Sequence, residues 1–98
     1  MQALHAKTEN RSERRLKVFL RVEMKMKSQC HPAHLLDVSP NGARVYCEFP
    51  IEIGALVLLQ YPGVSCPAKC VRAEAKRIGL RFVSPLLPTQ LGLLISAR

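Results

Sequence analysis

Two arginines spaced four residues apart, Arg11 and Arg15, stand near the start of the chain and are suited to binding an anion. A guanidinium group offers its donors in a planar fork, which matches two oxygens of a phosphate or the O6 and N7 edge of guanine. Arg14 lies between the two and Asn10 precedes them. Each arginine by itself is equally consistent with a solvated charge, so the pair indicates a site only if other polar groups meet it.

The hexapeptide at residues 37 to 42, Asp-Val-Ser-Pro-Asn-Gly, is a second candidate for binding. Asp37 could accept hydrogen bonds from the N1 and N2 edge of guanine, and Ser39 could add one neutral hydrogen bond. Gly42 would allow a base or a backbone to approach closely. The same residues also suit a turn, because Asp and Ser cap nearby amides and glycine adopts backbone angles that other residues avoid. The hexapeptide alone therefore predicts a hairpin connection.

Taken together, these two motifs resemble the PilZ domain, whose signature is an RxxxR arm followed by a [D/N]xSxxG turn and a small β-barrel. The matching positions in this chain are Arg11, Arg15, Asp37, Ser39 and Gly42. A softer match is the segment at residues 78 to 82, which is similar to a late strand of the family. The resemblance covers the chain from about Asn10 to its end.

The resemblance implies a ligand, the bacterial second messenger cyclic diguanylate (cyclic di-GMP), which carries two phosphates and two guanines. In this family the ligand is held between the arm and the barrel surface, so the resemblance assigns binding to the five motif residues. We add Arg14, which could either assist Arg15 or point away from the ligand, and Asn10, which occupies a position that influences how many ligands bind in the family. The resemblance further implies a receptor or adaptor that is not an enzyme and that acts on a protein effector.

Charge and length set the class of protein. The 98 residues carry a net charge of +8, and residues 1 to 27 account for +5 of it, which favours an anionic partner. The length predicts one domain. No apolar run reaches the 18 or so residues of a membrane helix, and the first seven residues lack the apolar stretch of a signal peptide, so a cytoplasmic location is expected.

Apolar periodicity predicts a mainly β fold. Residues 16 to 27 alternate apolar and polar side chains, which is typical of a long half-buried strand, and residues 29 to 32 are predicted to form a turn. Five further strands are predicted at residues 33 to 38, 43 to 49, 55 to 61, 68 to 75 and 77 to 83. Six short, evenly spaced strands indicate an antiparallel β-barrel.

The two ends of the chain differ from the barrel. Residues 1 to 14 have no apolar periodicity and predict a flexible basic arm, whereas residues 15 to 98 predict the barrel domain. After Ser84 and Pro85, leucines at a helical period predict a terminal helix that covers the fourth strand or a barrel mouth. Cys47 follows the alternation of the third strand and is expected in the core.

Other kinds of chemistry find less support in the sequence. Four cysteines are expected to be reduced thiols, and the spacing of Cys30, His31 and His34 is poor for structural zinc, so no metal or cofactor is predicted. No nucleophile stands near a base, and no glycine-rich loop could cradle a phosphate, which favours binding over catalysis.

Two alternatives to a cyclic di-GMP receptor stay open. One is a degenerate PilZ module that acts only through protein contacts. The other is a basic barrel that binds single-stranded nucleic acid, but the chain has only three phenylalanines and two tyrosines to stack on bases, so nucleic acid is not an expected partner.

Overall fold

A computed structural model of the chain describes residues 14 to 98, in which six strands form one closed antiparallel barrel. The strands are β1 (Leu16–Met26), β2 (Gln29–Ser39), β3 (Gly42–Tyr46), β4 (Leu56–Tyr61), β5 (Val64–Glu74) and β6 (Arg77–Phe82). Their order around the barrel is β1-β2-β3-β6-β5-β4, and pairing of β4 with β1 closes it. One helix, α1 (Pro88–Ser96), follows. The predicted mainly β fold, with a six-stranded barrel and one terminal helix, is confirmed. The predicted arm lies outside the described residues except for Arg14.

The barrel interior is filled by apolar side chains because alternate residues of each strand point inward. In β3, Ala43 and Val45 are buried, and Cys47 continues the same alternation into the core, as predicted. The largest fully buried side chains include Met24, Leu35, Leu59 and Leu94.

Two β-bulges change the outer face next to the hairpin of β2 and β3. The first lies between Lys17 and Leu20 and gives Phe19 a positive φ of 44°. The second lies between Leu35 and Asp37. Because a bulge adds one residue to one strand, the residues beyond it change faces. Asp37, which would otherwise follow Leu35 into the core, therefore stands on the outer face opposite Arg44.

Two strands begin several residues earlier than the sequence suggested. The turn predicted at residues 29 to 32 is wrong, because β2 already starts at Gln29 and the turn consists of Lys27 and Ser28. Pro32 pairs with Glu23 of β1 on one side of β2. On the other side, β3 pairs with β2 only from His34 onward, so Pro32 has no neighbouring strand there whose hydrogen bonds it could disrupt. In the same way, β5 starts at Val64 and includes Pro67.

The terminal helix starts later than predicted. Pro88, and not Pro85, is its first residue, and the side-chain oxygen of Gln90 accepts a hydrogen bond of 2.9 Å from the backbone N–H of Leu87. The helix packs against β1 and β5, the two neighbours of β4, and its Leu94 is fully buried. Among residues 14 to 98, no helix is long and apolar enough to cross a membrane.

Candidate functional site

Asp37 is a buried carboxylate held by two arginines. Only 4% of the residue is exposed. Arg15 Nη1 donates to Asp37 Oδ1 at 2.9 Å, and Arg44 Nε donates to Oδ2 at 2.8 Å. A carboxylate removed from water needs such charge-assisted hydrogen bonds on both oxygens to offset its desolvation. Asp37 therefore positions two guanidinium groups side by side on the outer face of the barrel.

Arg44 was missed by the analysis of the sequence, although a signal for it was present. Ala43 and Val45 are apolar neighbours on either side, so alternation places Arg44 on the outer face of β3. The hairpin of β2 and β3 then sets Arg44 opposite Asp37. The position of the bulge, which decides that Asp37 faces outward, could not be read from the sequence.

Ser39 and Gly42 face each other across the hairpin, with Pro40 and Asn41 as its turn. Ser39 is 1% exposed, and its hydroxyl donates to the carbonyl oxygen of Gly42 at 3.3 Å. A Cβ atom at Gly42 would lie 2.5 Å from the carbonyl oxygen of Leu80 in β6. Gly42 has no positive φ, so the expectation that it supplies an unusual backbone angle is wrong. The close approach of β6 requires glycine here.

Pairing across the barrel brings further arginines to the same face. Arg44 pairs with Gly79 of β6, and Gly79 pairs with Arg72 of β5, so two arginines flank a glycine. A Cβ atom at Gly79 would lie 3.2 Å from Cβ of Arg72. An open depression of about 420 Å³ lies here, lined by Arg15, Arg44, Val71, Arg72, Gly79 and Leu80.

A fourth arginine extends this surface towards the hairpin. Arg81 pairs with Gly42 and lines a smaller depression together with Arg15. We call the surface formed by Arg15, Arg44, Arg72 and Arg81 the arginine face. Within residues 14 to 98, neither Arg72 nor Arg81 has an ion-pair partner. The surface carries four guanidinium groups against one carboxylate, so it attracts anions and offers forked donors to them.

Four of the seven predicted site residues lie at this surface or in the hairpin beneath it. Arg15 forms part of the surface and donates to the buried Asp37, and Ser39 donates to Gly42 within the hairpin. Arg14 is exposed and does not line the 420 Å³ depression. Asn10 and Arg11 lie outside the described residues.

Within residues 14 to 98, no histidine or cysteine lines the two depressions of the arginine face. His31 stacks on Phe49 with ring centroids 3.8 Å apart, and all four cysteines are free thiols. Burial raises the pKa of the Cys66 thiol to about 11 and also raises the pKa of Cys47. In the described part of the chain, no group of three or more His, Cys, Asp or Glu side chains is placed to hold a metal ion.

A family model of the PilZ domain matches residues 9 to 97. The chain belongs to the PilZ domain family. No curated protein matches it. PilZ domains are binding and adaptor domains of a family known to bind cyclic di-GMP.

Proposed function

We propose that this PilZ domain is a receptor for cyclic di-GMP that acts by binding and not by catalysis. The observation that carries the proposal is the pair of hydrogen bonds from Arg15 and Arg44 to Asp37. It places one arginine of the RxxxR motif on the Asp of the DxSxxG motif, beside an open depression with further arginines. The ligand would bind there as a dianion with two guanine edges.

The arginines keep enough donors for a ligand. A guanidinium has five N–H donors, and Arg15 and Arg44 each give one nitrogen to Asp37. The remaining donors could bind phosphate oxygens or guanine O6 and N7. In this proposal Asp37 acts mainly by orienting Arg15 and Arg44. Ser39 and Gly42 hold the hairpin from which Asp37 projects.

Arg72 helps to form a space that could bind one guanine base of the ligand. The depression over Gly79 has Arg44 on one side and Arg72 on the other. A guanidinium plane stacks on aromatic rings, and a glycine floor leaves room for a flat ring. We therefore assign one guanine of the ligand to the space over Gly79.

The arm would convert binding into a signal. The arm residues Asn10, Arg11 and Arg14 lie a few positions before Arg15 in the chain. The ligand could therefore draw residues 8 to 14 onto the arginine face and carry Arg11 to a phosphate. A protein effector that contacts the arm would then distinguish the two states. A cytoplasmic location, where such a second messenger is used, is part of this proposal.

Isothermal titration calorimetry tests the proposal with three ligands: cyclic di-GMP, cyclic di-AMP and a single-stranded oligonucleotide. We expect binding of cyclic di-GMP in the micromolar range, about −8 kcal/mol, and none of cyclic di-AMP, which lacks the guanine edge. Heat with the oligonucleotide alone would establish the nucleic-acid alternative. Silence with all three would overturn the receptor and leave a PilZ module that acts only through protein contacts.

A further inference from the structure

A second depression opens beside the arginine face, and Phe19 forms one of its walls. Its volume is about 300 Å³, and its lining consists of Lys17, Phe19, Leu36, Asp37, Arg44 and Arg77. We call it the Phe19 pocket. It shares Arg44 with the 420 Å³ depression, so the two are neighbours on one continuous surface.

The exposure and backbone conformation of Phe19 are energetically unfavourable for the fold. The residue is 71% exposed, so its ring gains little from burial. Its φ of 44° lies in the left-handed region, which is disfavoured for a bulky side chain and well suited to Asn or Gly. An exposed aromatic residue on a strained backbone is the kind of feature that is found at functional sites.

The ring of Phe19 already has one face covered. It stacks on His34, with centroids 5.3 Å apart and planes 15° from parallel. His34 lines a different depression, together with Arg21 and Tyr46, and does not line the Phe19 pocket. The stack with His34 therefore fixes the Phe19 ring from one side, and the rest of the ring is directed towards the Phe19 pocket. A flat ligand ring could extend this stack at little entropic cost.

The pocket also has positive charge that nothing described neutralises. Within residues 14 to 98, the side chains of Lys17 and Arg77 make no ion pair. Arg44 stands between this pocket and the space over Gly79. An aromatic wall with cations beside it matches a nucleobase that carries a phosphate nearby.

We infer that Phe19 stacks on a guanine base of cyclic di-GMP, the one that the space over Gly79 does not hold, with Lys17 and Arg77 near its phosphate. The inference rests on the proposed function, because it assigns the second base of the same ligand. A cyclic dinucleotide holds its two bases on a common ring, and Arg44 at the border of both depressions would lie at that ring. The motif residues supply one half of the site, and Phe19 supplies the other.

Tryptophan fluorescence reports on this stack directly, because the chain contains no tryptophan. In Phe19→Trp, we expect cyclic di-GMP to quench the single indole at the same concentration at which calorimetry detects binding. The control is Ser65→Trp, on the exposed side of the β4–β5 hairpin, whose emission should not change. Calorimetric binding without quenching of Trp at position 19 overturns the inference and leaves the receptor intact. Absence of binding to the unsubstituted protein overturns both.

Two further variants separate binding from folding. Phe19→Asn removes the ring and suits the positive φ, so its melting temperature should match or exceed that of the unsubstituted protein. We expect its affinity for cyclic di-GMP to fall about tenfold, because stacking of a base on an aromatic ring is lost. Phe19→Tyr keeps the ring and should bind within about twofold of the original. Equal affinities for the Asn and Tyr variants would refute the stacking role.

Discussion

Arg15 and Asp37 are 22 residues apart in the chain, yet the Nη1 atom of Arg15 lies 2.9 Å from the Oδ1 atom of Asp37. The hydrogen bond joins the residue just before β1 to the end of β2, so the two sequence motifs of the family touch each other. The carboxylate is buried and the side chain of Arg15 is 42% exposed. Arg15 is therefore fixed at one nitrogen and accessible at the others.

Arg15→Ala should weaken the binding of cyclic di-GMP by between tenfold and a hundredfold. The reason is the loss of charge-assisted hydrogen bonds, each worth about 1.5–3 kcal/mol. The matched control is Lys25→Ala, which removes the same charge from an exposed site near the other end of β1. Calorimetry at two salt concentrations measures both. Equal losses for the two variants would mean that binding depends on diffuse charge and not on Arg15.

Arg15 and Arg44 should be coupled through Asp37 in the stability of the fold. Either Arg15→Ala or Arg44→Ala leaves the carboxylate one partner, so each should lower the free energy of unfolding by about 1 kcal/mol. The double variant leaves a buried carboxylate with neither arginine, which is far costlier. We expect its loss to exceed the sum of the single losses by about 1–2 kcal/mol in urea denaturation. Strict additivity would show that the two hydrogen bonds do not depend on each other.

Gly42→Ala and Gly92→Ala should change stability in opposite directions. The new Cβ at position 42 would meet a backbone oxygen of β6 at 2.5 Å, and a strand of a closed barrel cannot move away freely. We expect a loss of about 2–3 kcal/mol. Gly92 lies in α1, and a Cβ atom added there would meet nothing within 4 Å, so alanine should stabilise the helix by up to about 1 kcal/mol. Thermal denaturation compares the two, and a harmless Gly42→Ala would disprove the close-approach argument.

The barrel could be predicted from the sequence because apolar and polar residues alternate along the parts of its strands that contribute to the core. Val45 and Cys47 are buried at a spacing of two, as the pattern requires. The starts of β2 and β5 were missed because Pro32 and Pro67 look like strand ends. Both prolines are tolerated by their place in the ladder, and that place depends on which strands are neighbours, which only the folded barrel reveals.

The site was half predictable for a related reason. Local motifs identified Arg15 and Asp37, since the spacing of a motif is a property of the chain. Arg72 belongs to the site only because it pairs with Gly79, and Gly79 belongs to it because it pairs with Arg44. These are contacts between β3, β6 and β5, and their register is set by the closure of the barrel and by bulges such as the one beside Cys70. The alternation of residues 16 to 27 likewise gave no sign of the bulge at Phe19.

Cys66 should make the fold less stable in alkaline solution. Burial raises its thiol pKa from 9.0 to about 11, so between these pH values the unfolded chain loses a proton that the folded chain keeps. The contribution is fully present below pH 9 and is lost as the pH rises through about 11, by about 2–3 kcal/mol. Cys66→Ala should remove that part of the decline. Urea denaturation at pH 8, 9.5 and 11 under reducing conditions gives the free energy of unfolding of both proteins at each pH. An equal decline with pH for the two proteins would contradict the prediction.

Amide exchange of the segment before β1 should report ligand binding. Residues 8 to 14 are rich in charge and lack apolar periodicity, and ordering each of them costs about 1–2 kcal/mol. Only an anion that links them to the arginine face would offset that cost, so we expect rapid exchange in the free protein and slowed exchange with saturating cyclic di-GMP. Arg15, already hydrogen-bonded to Asp37, would be the fixed point from which the segment closes. Amides of β4 serve as the internal control and should not change. A segment protected before ligand is added, or one that exchanges equally fast in the complex, would rule out the arm as the element that transmits the signal.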